Sequence, residues 1–104
     1  MGTMADLASR LRTALAGLPR VEEKRMFGGT TFMVNGKMCI SAGRGRLMCR
    51  IDPELHEHVI GRPGARRVRK GFVAVDEKAV QSARELRYWV GVCLDYNWKT
   101  GSAT

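Results

Sequence analysis

The residues of this chain that could carry chemistry are two histidines, three cysteines and two glycine-rich stretches. His56 and His58 stand two apart on an expected helix, about 200° around its axis, so they cannot easily share a ligand or a proton. Both are read as solvated helix surface. Cys39, Cys49 and Cys93 are odd in number and show no CxxC spacing. That argues against a zinc site and a disulfide framework. They are read as reduced, mostly buried thiols that behave as small hydrophobes. A nucleophilic cysteine would need a nearby base, and no histidine is assured beside Cys39 or Cys49. The carboxylates gather at helix starts, where they cap and complement the dipole. Glu22 and Glu23 have no visible partner. No catalytic constellation, metal site or cofactor is expected.

"RMFGGTTFMVNGKM", residues 25 to 38, holds a double glycine and then Gly36-Lys37. A phosphate-gripping loop needs a glycine five residues before Gly36 and a Ser or Thr after Lys37. Thr31 and Met38 stand there instead. "GRGRLM" lies between two expected strands, not at a strand-to-helix junction. Asn35-Gly36 is therefore read as a hairpin turn, in which both residues take positive φ. Gly28-Gly29 suggests a bulge or a close backbone approach inside a sheet.

The net charge is +8, and its excess is confined to the middle of the chain. No acidic residue falls between Lys24 and Ile51, or between His58 and Val75. Arg44, Arg46, Arg50, Arg62, Arg66, Arg67, Arg69 and Lys70 are the candidate contacts to nucleic acid. A local excess of one sign favours polyanionic partners without specifying sequence. No helix-turn-helix, zinc-finger or RNA-recognition signature accompanies it, and aromatics are absent from the basic segment. Binding of this kind would be weak and steeply salt-dependent.

The elements that must position these residues follow from hydrophobic period. Leu7, Leu11, Ala14, Leu15 and Leu18 form a helical stripe over residues 5 to 16, with Thr3 or Asp6 as cap and Gly17 with Pro19 as stop. "TTFMV", "KMCIS" and "RLMCRI" are short strands in an antiparallel meander. "DPELHEHVIG" is a short helix, capped by Asp52 with Pro53 at its first position. "RPGARRVRKG", spanning the basic residues 62 to 70, is read as a loop. "FVAV" is a further strand, and Asp76 opens a long final helix, with Val75 and Val80 spaced as a hydrophobic staple. Its stripe is Ala79, Ala83, Leu86, Val90, Cys93 and Leu94, flanked by Trp89. Residues 98 to 104 are expected to fray. Residues 1 to 4 are read as an expression remnant or a disordered lead.

A two-residue Asn35-Gly36 turn pairs Val34 with Lys37 and Met33 with Met38. A two-residue Gly43-Arg44 turn pairs Ile40 with Leu47. One face then carries Thr31, Met33, Met38, Ile40, Leu47 and Cys49 and reads as core. The other carries Phe32, Val34, Lys37, Cys39, Ser41, Arg46, Met48 and Arg50. In that register Cys39 and Cys49 lie on opposite faces. A three-residue second turn would reverse the last strand, and both turns remain open.

One hundred and four residues, 44% of them hydrophobic, fit one globular domain. No apolar run approaches the roughly eighteen residues of a membrane span, and no signal pattern opens the chain. A cytoplasmic location is expected.

"RMFGGTTFMVNGKMCIS", followed by "RLMCRID", resembles the N-terminal domain of the TfoX (Sxy) family. The motif residues are Met26, Phe27, Gly28, Gly29, Asn35 and Gly36. "ARELRYWVGVCL" resembles the closing helix of that domain, with Trp89 at its tryptophan. The resemblance runs from the first helix to about Tyr96. It implies a two-layer α+β fold of the secretion-chaperone-like type, an antiparallel sheet packed against helices. It also implies a non-enzymatic regulator of natural competence that coactivates transcription. Family members carry a second helical domain, which these residues do not include. The resemblance, with the absence of catalytic residues, points to a protein partner, either a transcription factor or RNA polymerase, or to self-association, and the apolar members of the second sheet face, Phe32, Val34 and Met48, are the candidate contacts. The basic segment offers weak nucleic-acid binding as the alternative.

Overall fold

The computed structural model describes residues 6 to 26 and 28 to 101. Phe27, residues 1 to 5 and residues 102 to 104 lie outside the described residues, and with them the motif phenylalanine and the Thr3 cap. Helix α1 spans Leu7–Ala14 and is capped by Asp6, whose carboxylate accepts the Ser9 N–H at 2.8 Å. Strands β1 (Val21–Met26), β2 (Gly29–Val34), β3 (Lys37–Gly43) and β4 (Arg46–Arg50) follow as a meander. A 3-10 turn, Pro53–Leu55, leads into the single turn of α2, His56–Val59. Strands β5 (Ala65–Arg69) and β6 (Phe72–Asp76), a second 3-10 turn (Glu77–Val80) and α3 (Ala83–Gly101) complete the order. The six strands form one antiparallel sheet in the order β1-β2-β3-β4-β6-β5. The fold is a two-layer α+β structure.

The helices share one face of the sheet. Leu7, Leu11 and Leu15 meet Phe32, Ile40, Leu47, Val73 and Val75 in a single core, closed by Val59, Val80, Leu86, Trp89 and Val90. Trp89 is fully buried at its centre, not at the margin of the stripe. Its ring meets that of Tyr88 edge-on at 5.4 Å. Helix α3 starts seven residues later than expected. Ser82 caps it by accepting the Glu85 N–H at 3.1 Å, the Ser-x-x-Glu arrangement of a helix start. Asp76 caps only the 3-10 turn before it. The helix continues through Gly101, beyond the expected frayed end.

Two strands escaped the hydrophobic period. Both β1 and β5 are edge strands whose side chains are almost all exposed, so apolar alternation is missing. The basic segment is thus largely strand, not loop.

The Asn35-Gly36 turn is as expected, with φ of 55° and 79°, and pairs Val34 with Lys37. The second hairpin turns at Arg44-Gly45, not Gly43-Arg44, with φ of 55° and 76°. Gly43 is committed elsewhere. A Cβ there would lie 2.6 Å from the Gly29 Cα, and one at Gly29 would strike the Ala42 backbone oxygen. Gly29 and Gly43 therefore serve a close approach of β2 to β3, while Gly28 takes a φ of 75° beside the Arg44 side chain.

Candidate functional site

The partition of side chains between the two faces is set by one irregularity. Phe32 pairs with Ile40 while Met33 pairs with Met38, which leaves Cys39 as an extra residue on β3. A one-residue bulge of this kind exchanges the faces of everything beyond it on one strand relative to the other. Phe32 and Val34 consequently point into the core, 0% and 4% exposed. They were expected on the exposed face, and the bulge is the reason they are not. Of the three expected protein contacts only Met48, half-buried, lies on the face away from the helices.

That open face has a floor and a rim. Thr31, Ser41 and Ala74 are short, buried side chains at its centre. The Thr31 hydroxyl donates to Ser41 Oγ at 3.0 Å, and Ser41 donates to the Thr30 carbonyl at 3.2 Å. The hydroxyls are thus satisfied within the sheet. Around them stand Met33, Met38 and Met48, half-buried, and Phe72 on β6. The register adds Lys24 opposite Thr31, Arg46 opposite Asp76, and Arg66 opposite Ala74. Arg69, opposite Phe72, lies 4.5 Å over its ring. No helix among those described packs on this side. Glu22, opposite Met33, and Asp76 stand on the same face, so four cations outnumber two carboxylates around polarizable thioethers that adapt to an apolar partner, a balance that favours an anionic one.

The eight basic candidates divide. Arg46, Arg66 and Arg69 share the open face, joined by Lys24, which was not among them. Arg62 grips Glu85 with two bonds of 2.9 Å and lies 3.5 Å over the Tyr88 ring, so it ties the segment before β5 to α3. Arg50 sits 5.6 Å over the Tyr96 ring of α3. Arg44 lies against Gly28. Arg67 is opposite Val73, on the helix side, and its charge reaches His56. Lys70 is in the β5–β6 turn. Bidentate and ring contacts are what arginine does best as a structural residue, and spacing in sequence cannot tell them from free phosphate binders.

His56 is not solvated surface. It is 5% exposed, and its Nε2 accepts the Gly71 N–H at 2.8 Å. Its Nδ1 is buried without a partner. Burial first, and the Arg67 charge second, lower its pKa from 6.5.

All three thiols are buried and unpaired. Because of the bulge, Cys39 and Cys49 are both in the core cluster with Cys93, not on opposite faces. Burial pushes the Cys39 thiol up, and burial with the Cys49 contact does the same for Cys93. These two are protonated at neutral pH, and neither is an activated nucleophile. Among the described residues no three His, Cys, Asp or Glu side chains are grouped to hold a metal. No helix among them is long and apolar enough to cross a membrane.

A second surface feature had no signal in the periodicity. Leu18, Pro19, Val34, Leu94 and Trp98 line a groove of about 300 Å³ between the end of α1, the β2–β3 hairpin and α3. Trp98 is 71% exposed beside it.

Against known proteins, the TfoX N-terminal domain family matches residues 13–96. The comparisons with curated proteins and with solved structures each gave no match. The matched span holds the double glycine, the Asn35-Gly36 turn, the whole sheet and most of α3, and the chain belongs to the TfoX N-terminal domain family.

Proposed function

We propose that this TfoX-type regulatory domain acts as a cytoplasmic, non-enzymatic adaptor, and that its partner sits on the open face of the sheet. The observation that carries this reading is the one-sided packing of the helices, which leaves Met33, Met38, Met48 and Phe72 open, with Lys24, Arg46, Arg66 and Arg69 around them outnumbering Glu22 and Asp76. Family membership supports a regulatory role. Coactivation of transcription, and a part in bacterial competence, are the finer forms of the same proposal. A partner that fits would present an apolar patch with acidic surroundings.

Photo-cross-linking in cells tests it. A photoreactive residue at Met48 is compared with one at Arg87, exposed on the helix layer. Recovery of a transcription regulator or polymerase subunit from Met48 alone supports the adaptor. Equal labelling from both positions overturns it.

The gathering of Arg46, Arg66 and Arg69 on one face favours a second reading, weak binding of nucleic acid. Anisotropy of a labelled mixed-sequence duplex, followed from about 50 to 200 mM salt, tests that reading, since phosphate-driven binding falls steeply over this range. Binding that vanishes in an Arg46/Arg66/Arg69→Glu variant supports it. Absence of binding at the lowest salt removes it.

A further inference from the structure

The two edges of the sheet are not equivalent. The β5 edge carries Arg66, Arg67 and Arg69, with Lys70 just beyond, and is broken by a bulge between Arg67 and Arg69. Like charge and a bulge are devices that keep an edge from pairing with its own copy. The β1 edge reads Val21-Glu22-Glu23-Lys24-Arg25-Met26, exposed from Glu22 onward, regular in register, and balanced in charge. Among the described residues no strand pairs with its outer side.

Which backbone groups face outward follows from one bond. Asn35 donates its N–H to the Arg20 carbonyl at 3.1 Å. In an antiparallel ladder bonded residues alternate. Val21, Glu23 and Arg25 therefore turn their N–H and C=O groups away from β2.

We propose that β1 pairs antiparallel with β1 of a second copy, with Glu23 at the two-fold axis. This places Glu22 of each chain opposite Lys24 of the other, on the open face. A two-fold perpendicular to the sheet allows only registers in which a residue faces its own counterpart. The outward groups of Val21, Glu23 and Arg25 meet those of Arg25, Glu23 and Val21 across the axis. The two Glu23 carboxylates that approach there are each already held by Arg12 of the same chain, at 2.6 and 2.8 Å. Arg25 of the opposite chain lies diagonally beside each. Centring on Lys24 would instead bring two ammonium groups together and leave two hydrogen-bonded pairs within the strand in place of three. The contact is isologous and closes as a dimer. Helices of both copies stay on one side, and the two open faces join. The inference stands apart from what the open face binds.

Sedimentation equilibrium of the full chain, from micromolar to millimolar concentration, tests it with Glu22→Lys and Lys24→Glu variants. Both positions are exposed and outside the core, so the fold is expected to survive. The parent should sediment as a dimer. Each variant sets like charges opposite one another twice and should weaken self-association roughly tenfold or more. An equimolar mixture of the two restores both opposite pairs and should recover the dimer. A parent that remains monomeric, variants that dimerise as the parent does, a mixture without recovery, or masses above the dimer would each overturn the proposal.

Discussion

Gly71 donates its backbone N–H to His56 Nε2 at 2.8 Å, a bond that fastens α2 to the turn between β5 and β6. An imidazole that accepts at Nε2 must be neutral, and protonation would set two donors against each other. The folded-state pKa lies below the ordinary 6.5, so the unfolded chain takes up the proton first. Stability from this site is complete above pH 6.5 and is lost as pH falls from there through the folded pKa. The denaturant midpoint should therefore decline below pH 6.5. That is well above the window in which Glu23 and Asp52 lose their depressed pKa values, from 4.5 and 3.8. His56→Gln should flatten the upper decline, and Arg67→Gln, by letting the folded pKa rise toward 6.5, should make it smaller. A decline that survives in His56→Gln would show that another group causes it.

Gly29 and Gly36 separate two reasons for glycine. At Gly36 the φ is 79° and space is open, so Gly36→Ala should cost about 1 kcal/mol of backbone strain. At Gly29 the added methyl meets the Ala42 backbone, and strand spacing must change. Gly29→Ala should cost about 3 kcal/mol. Urea unfolding of both variants measures the difference, and equal costs would contradict the close approach.

Substitutions at Phe32 and Met48 should differ in cost. Phe32→Ala empties a fully buried site and is expected to cost about 3–5 kcal/mol. Met48→Asp, half-buried on the open face, should cost about 1 kcal/mol or less. Thermal unfolding followed by circular dichroism checks both.

Asn97, 5% exposed, donates to the Val34 carbonyl at 2.9 Å and accepts from the Asn35 amide at 3.3 Å. It pins the hairpin to α3. Asn97→Ala removes two buried side-chain bonds and should cost about 1 kcal/mol. Amide exchange at the hairpin should rise with it, while exchange at β6 should not.

The thiols supply a probe of opening. With Cys39, Cys49 and Cys93 buried, alkylation in native buffer should track unfolding and rise with denaturant. Fast labelling of any one in the native protein would place that thiol at the surface.

Legibility followed the locality of the signal. The α1 stripe, the Asn35-Gly36 turn and the Asp52 cap are decided by residues a few positions apart, and each was readable. The Ser82-Glu85 start of α3 was equally local, but the expected stripe ran past it through Ala79. The strands β1 and β5 were hidden because an edge strand needs no apolar face. The bulge at Cys39 was hidden because Phe32 and Met33 are both apolar, so alternation could not choose between them. Three of the eight basic candidates lie against other parts of the chain, Arg62 on Glu85 and Tyr88, Arg50 over Tyr96 and Arg44 beside Gly28, contacts that exist only once the chain is folded.

The strand order has a kinetic consequence. From β1 to β4, and again from β5 to β6, each strand pairs with its sequence neighbour, so these hairpins can zip early at low loop entropy. The β4–β6 pairing alone must close across α2 and β5. Leu47 with Val75 and Cys49 with Val73 form that seam. Truncations there should slow refolding, whereas truncations under α1 should mainly speed unfolding. The late step of folding is thus the one that joins two independently zippered halves.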